Sequence, residues 1–380
     1  MKTICQGWFS LCAVGAAFAQ STSNFHDNTT RHTLVEPDGV LERNAAVSDH
    51  FEEFAVGSTA HIQARVYVLV HVAMRDAVGA AIRELRVNPA DPSAKIAAGT
   101  AAHDISVALC PTGLSRFATL QARHLAVFSN ISVASAGQQV GQRIAASILS
   151  NRATDGWPIA LAKATDRMPF SGRRGKGGQR TPFILKRLQE IRPQPPFFGF
   201  GDGKIRPNRT LQNKKLLGSP ADVDLTVGAA VAWSTHPVLQ WNRATWSHAV
   251  KHSQALPERV RLFSALNTAL ADALLSATYW AEVYRENRGD ATIWGALHEH
   301  DRMIADGDML PDPSILSWAI NMLKGFPPTS AVLAGAADSI LRSYFDDSVL
   351  ANIRLLARQC AWSDLVNGIS TLEAVSQATT

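Results

Sequence analysis

Arg65-Val66-Tyr67-Val68-Leu69-Val70-His71-Val72-Ala73-Met74-Arg75-Asp76-Ala77 lies inside a longer run from His61 to Arg86, and its periodicity decides the fold class. Val66, Leu69, Val70, Ala73, Ala77 and Ala80 recur at spacings of three and four, with no proline between them. That spacing predicts one long helix with a buried face. Asn88-Pro89 ends it, because proline supplies no N–H and disfavours helix in the residue before it. The same reading predicts helices over 95–109, 131–153, 225–249, 258–284, 312–323, 331–345 and 361–376, while alternating strand patterns are scarce. The expected fold class is all-α, a helical bundle.

A weak internal echo suggests two related helical units. Arg65, Ala73, Asp76 and Ala77 correspond to Arg261, Ala269, Asp272 and Ala273 at a constant offset. Charged residues on such apolar helices are expected to serve as arginine–carboxylate pairs or helix-end contacts rather than in catalysis.

The chain has 380 residues, 46% hydrophobic and 18% charged, which is ample for a large core. Residues 1–19 combine Lys2, an apolar run and a terminal Ala17-Phe18-Ala19, the pattern of a cleaved secretory signal. No other stretch approaches the roughly 20 apolar residues of a membrane helix. The expectation is a secreted or periplasmic protein with no transmembrane segment, in which residues 20–44 form a flexible N-terminal lead and 45–380 a single helical domain. Loss of the signal would leave Cys110 and Cys360, which an oxidising compartment would permit to pair. Asn28, Asn130 and Asn208 head glycosylation triplets that would matter in a eukaryotic host.

Between the two units, about 163–218 reads as an irregular, basic connection. From Arg167 to Lys215 it carries thirteen basic and two acidic residues, more than the whole net charge of +5. No nucleic-acid motif accompanies this charge, so nucleic acid is not an expected partner, and the segment is read as a solvated connection over the bundle. Its Pro-aromatic part, Pro195-Pro196-Phe197-Phe198, could close one wall of a pocket.

Three stretches carry a resemblance to a known superfamily. Tyr279 to Gly289 follows a long helix and ends in Arg288-Gly289; Gly325-Phe326-Pro327-Pro328-Thr329-Ser330 precedes an alanine-rich helix; Ser363-Asp364 is followed at five residues' distance by Ser370. In order and spacing these are similar to the motifs of vanadium-dependent haloperoxidases and type 2 phosphatidic acid phosphatases: Lys, six residues, Arg-Pro; then Pro-Ser-Gly-His; then Ser-Arg, five residues, His. The resemblance implies a bundle of the vanadium haloperoxidase type and places Arg288 on the family arginine. It also marks departures. Ala281 stands at the lysine position, Gly289 at the proline, Ser330 and Ser370 at histidines, and Asp364 at an arginine. A serine is a poor substitute for imidazole as ligand or nucleophile, and a carboxylate beside a tetrahedral anion repels it. Vanadate binding, halogenation and phosphatase chemistry are therefore not expected, and no cofactor is.

A divalent metal would have Glu299, His300, Asp306 and Asp308 as ligands, although these lack the helical His spacing of a zinc protease and read first as a solvated loop. Gly199-Phe200-Gly201-Asp202-Gly203 only superficially matches a cofactor loop, and Trp233, Trp241 and Trp246 are read as core. Two functions follow. The first is a tailoring enzyme that rearranges, isomerises or cyclises a small apolar organic metabolite without redox chemistry: Arg288 would stabilise an oxyanion, Asp364 act as base, and Ser330 donate a hydrogen bond, with Ser370 in the same pocket. The alternative is a catalytically silent binding or scaffold homologue. A homo-oligomer is compatible with either.

Overall fold

The computed structural model describes residues 39–54, 59–128, 130–157, 180–191, 197–198, 206–207, 227–252, 254–286 and 327–366. The expected signal sequence, the helix over 312–323 and the second half of the one over 361–376 lie outside them. Ten α-helices are described: α1 (Gly39–Glu53), α2 (Ala60–Glu84), α3 (Pro92–Leu109), α4 (Leu114–Ala126), α5 (Ile131–Asn151), α6 (Val227–Thr235), α7 (Pro237–Ala249), α8 (Leu256–Glu286), α9 (Thr329–Leu341) and α10 (Asp347–Val366). The described strands, β1 (Phe197–Phe198) and β2 (Arg206–Pro207), make one two-residue antiparallel pair within the basic connection. The protein is an all-α bundle, as the periodicity predicts.

Local chemistry sets the helix ends. Thr59 accepts the N–H of Ile62 at the start of α2, Asp91 caps α3 ahead of Pro92, and Asn130 accepts the N–H groups of Ser132 and Val133 at the start of α5. The helix expected over 225–249 is two helices, because His236 leaves helical geometry and Pro237 opens α7.

α2 runs through the middle, packed on α3, α5 and α8; α9 sits between α8 and α10, and α10 also touches α6. The α3–α5 seam is close: a Cβ on Gly141 would stand 2.6 Å from the carbonyl oxygen of Ala97. Trp241, Trp362, Tyr67, Phe51 and Phe263 are among the largest fully buried side chains. Trp233 lies 5.2 Å from Trp241, ring to ring, in the core as expected, and half-buried Trp246 donates its indole N–H to the carbonyl of Leu41.

The centre is also polar. Asn44 of α1 donates to Asn242 of α7 (2.9 Å) and contacts His71 of α2 (3.0 Å), while Asn242 and Asn267 of α8 exchange side-chain hydrogen bonds at 2.8 and 2.9 Å. Four helices are thus joined by one buried amide–imidazole network, whose members lose a partner if any helix shifts.

Two sequence expectations need correction. The flexible lead expected over 20–44 is shorter: α1 begins at Gly39 and buries Val40, Leu41, Arg43 and Asn44, so residues 39–44 belong to the bundle. The final helix was expected from residue 361; α10 starts at Asp347, with Val349, Leu350, Ile353, Ala357 and Cys360 buried. Cys110 and Cys360 are both buried as thiols and are not joined as a disulfide. Burial pushes the Cys110 thiol up to about 12. Among the described residues no helix is long and apolar enough to cross a membrane.

Candidate functional site

Of the four candidate catalytic residues, Ser330 is described in full. It lies in the first turn of α9, behind Pro328, whose extended backbone (φ −62°, ψ 121°) breaks the chain into the helix. Pro327, Pro328 and Ser330 are all buried, Ser330 to 1% exposure. The thiol of Cys360 on α10 donates to the Ser330 carbonyl at 3.2 Å, and Ser363 donates to the carbonyl of Cys360 at 2.6 Å. These contacts bind the α9 start to α10.

Asp364 follows on α10, one turn beyond Cys360, so the backbone brings positions 330 and 364 to the same helix pair. Its side chain, like Arg288 and Ser370, lies outside what the structure describes; Arg288 comes two residues after the end of α8. The helices carrying the three motifs, α8, α9 and α10, are therefore packed in series, with α9 between the other two.

Around Ser330 the described packing is apolar. Ala331, Leu333 and Ala334 of α9 and Ala361 and Trp362 of α10 are buried in the core, as are Ser330 and Ser363. Metal candidates Glu299, His300, Asp306 and Asp308 lie outside the described residues, and among those described no three His, Cys, Asp or Glu side chains cluster as a metal would require.

A second polar cluster, absent from the sequence reading, surrounds the α2 start. His61 Nε2 lies 2.9 Å from the Thr278 hydroxyl of α8, its ring 6.3 Å from Trp157, and Gln63 bonds His236 Nδ1 at 2.8 Å. Burial, aided by the charge of Arg180, lowers the His61 pKa to about 3. A base that weak is a poor proton acceptor near neutrality, so His61 is not suited to general-base work. Its signal in the sequence was a lone histidine at a helix start, indistinguishable from a surface residue.

Arg65 makes the expected arginine–carboxylate pair, while Asp272, among the described residues, binds neither an arginine nor a helix end but the backbone of an irregular segment. Arg65 makes a buried ion pair with Asp155 at 2.5 Å and donates to the Arg152 carbonyl at 2.9 Å. The Asp272 carboxylate accepts three successive backbone N–H groups, from Phe183, Ile184 and Leu185, at 2.6 to 3.0 Å. Ser276, one turn on, donates to the Ile191 carbonyl at 3.0 Å, and the Arg152 guanidinium lies 4.1 Å over the Phe183 ring. Residues 180–191 are thereby strapped along α8 toward the end that leads to Arg288.

A cleft of about 940 Å³ opens elsewhere, between α1, α4 and α7, lined by Leu41, Phe54, Leu120 and Trp246 with Arg116 and Arg123 at its rim. Both arginines are paired, Arg116 with Glu53 and Arg123 with Glu42.

The sequence matches no protein-family model and no curated protein. The structure matches that of a bacterial vanadium-dependent iodoperoxidase with a TM-score of 0.56 at 15% sequence identity, over 92% of this chain and 94% of that one. Identity that low shows a shared fold and leaves the chemistry to the residues.

Proposed function

We propose that this chain retains the haloperoxidase-like framework without vanadate chemistry and acts as an exported, non-redox tailoring enzyme on a small apolar organic molecule. The supporting observation is Ser330: where the resemblance expects a histidine of the anion site, a serine stands buried at the start of α9, packed on α10 among apolar side chains. Apolar surroundings favour an apolar substrate, and a serine hydroxyl there would orient one substrate oxygen. Asp364 would take a proton from substrate carbon and return it to another atom of the same molecule, so no oxidant or co-reactant is consumed. Arg288 would stabilise the oxyanion that develops between those steps, and Ser370 would contribute a second hydroxyl.

Thermal melting in the presence of orthovanadate, inorganic phosphate or magnesium diphosphate tests the lost anion chemistry, because a ligand of the folded state raises the melting temperature. No saturable shift is expected; a shift abolished by Arg288→Ala would overturn the proposal. Apolar metabolites that do raise the melting temperature are then incubated with the protein and followed by mass spectrometry and NMR for an isomer of unchanged mass. Conversion lost in Asp364→Asn supports the enzyme. Binding without conversion supports the second reading, a silent binding homologue, which the Cys360 contact closing against the Ser330 carbonyl favours.

A further inference from the structure

Two of the four echoed charged residues have no role in the strap or the buried ion pair, and they meet in one place. Asp76 of α2 and Arg261 of α8 line a cavity of about 410 Å³, within the range of small-molecule sites. Its apolar floor is half-buried Ile82 of α2 and Ile144 of α5, with Val78 and Val260 buried beneath them. Arg75, Arg83 and Arg261 stand around that floor.

The charges do not cancel. Arg75 pairs with Asp76 at 2.8 Å and donates to the Ser264 hydroxyl at 3.1 Å, which accounts for the one carboxylate in the lining. Glu258, one turn before Arg261, accepts the Ala255 N–H at its own helix start. Glu84, beside Arg83 in sequence, is taken by Arg143 of α5. Among the described residues neither Arg83 nor Arg261 makes a hydrogen bond or ion pair. Gly79 leaves room on α2 for the Arg83 side chain, whose Nη1 would lie 3.2 Å from a Cβ at that position.

We infer that this groove binds a small amphipathic carboxylate, its head held between Arg83 and Arg261 and its apolar body against Ile82 and Ile144. Guanidinium groups match carboxylates in bidentate geometry, and a concave apolar floor beside two uncommitted cations suits a ligand with one charged end. Inorganic anions would meet the arginines but leave the floor uncovered. The site is independent of the α8–α9–α10 convergence and of the function proposed there.

Isothermal titration of the full chain with decanoate tests it. Saturable binding that weakens as salt is raised is expected. Arg261→Gln and Arg83→Gln should each weaken it by about tenfold, the order of one charge-assisted contact. Arg261→Lys should retain part of the affinity, and Arg123→Gln, on the cleft between α1 and α4, should leave it unchanged. Both target side chains are exposed, so the variants should melt with the parent. The inference fails if decanoate does not saturate, if the Arg83 and Arg261 variants bind as the parent does, if Arg123→Gln abolishes binding, or if inorganic phosphate binds equally well.

Discussion

Acidification should unfold this protein by protonating histidines that its core accepts only as neutral rings, and His71 is the clearest of them. Its ring is 0% exposed, stacked 5.0 Å from Phe263, and burial lowers its pKa to about 3. Asn44 spends its amide hydrogens on His71 Nε2 and Asn242 Oδ1, so Nε2 serves as acceptor and the ring proton sits on Nδ1. Protonating Nε2 would set two donors face to face in a dry site. With about 6.5 in the unfolded chain and about 3 in the folded one, the unfolded state binds more protons throughout that interval. Stability is therefore full above about pH 6.5 and is lost as pH falls toward 3. Linkage gives a loss of about 2 kcal/mol between pH 7 and pH 5 from this one group. Urea unfolding at several pH values measures it, with His71→Gln as the comparison, since glutamine supplies an acceptor for Asn44 but no titration. The variant should lose about 1.4 kcal/mol per pH unit less than the parent between pH 6 and 4. Equal pH slopes in the two proteins, or a histidine NMR titration placing the folded His71 midpoint near 6, would refute the reasoning.

Three further outcomes follow from the packing. Asp155→Ala leaves Arg65 buried without its carboxylate and should cost about 3 to 5 kcal/mol in chemical denaturation, the range for breaking a buried pair. Gly141→Ala forces a methyl against the Ala97 carbonyl and should destabilise by about 1 to 3 kcal/mol, whereas Ser150→Ala, at an exposed position of the same helix, should be near neutral. Asp272→Ala withdraws the acceptor of three backbone N–H groups, so hydrogen exchange at residues 183–185 should accelerate and trypsin should cut sooner at Lys186 and Arg187. Unchanged exchange there would show that Arg152 and Ser276 suffice to hold the strap.

Legibility in the sequence tracked the chemistry of each helix's buried face. α2, α5 and α8 present hydrocarbon at helical spacing, and their periods are plain. α1 buries Arg43, Asn44, Ser48 and His50 alongside Val40, Val47 and Phe51, and α4 buries Gln121 and His124 beside Phe117 and Leu120. A polar group hydrogen-bonded inside the core counts as surface in a hydrophobicity pattern, so these two helices were hidden by the network that fixes them. Buried Arg43, for example, donates to Gln121.

Of the candidate site, the helix order is what the structure describes: α8, α9 and α10 pack in series, and the fold is similar to that of an iodoperoxidase. The site was not legible as geometry. Ser330 gave no sign that its own carbonyl would be the acceptor for Cys360, thirty residues on, since that contact depends on the angle between two helices and not on residue type. The echo shows the same limit from the other side. Arg65 and Arg261 stand at equivalent helix positions, yet one is buried on Asp155 and the other faces an open groove. Their partners decide the difference: Asp155 lies in the irregular chain after α5, and the three amides on Asp272 lie in the equally irregular strap. Periodicity locates a charge on a helix, but its use is set by segments that have no period, which is why the uncommitted pair, Arg83 and Arg261, emerges only once every other charge nearby has been assigned its contact.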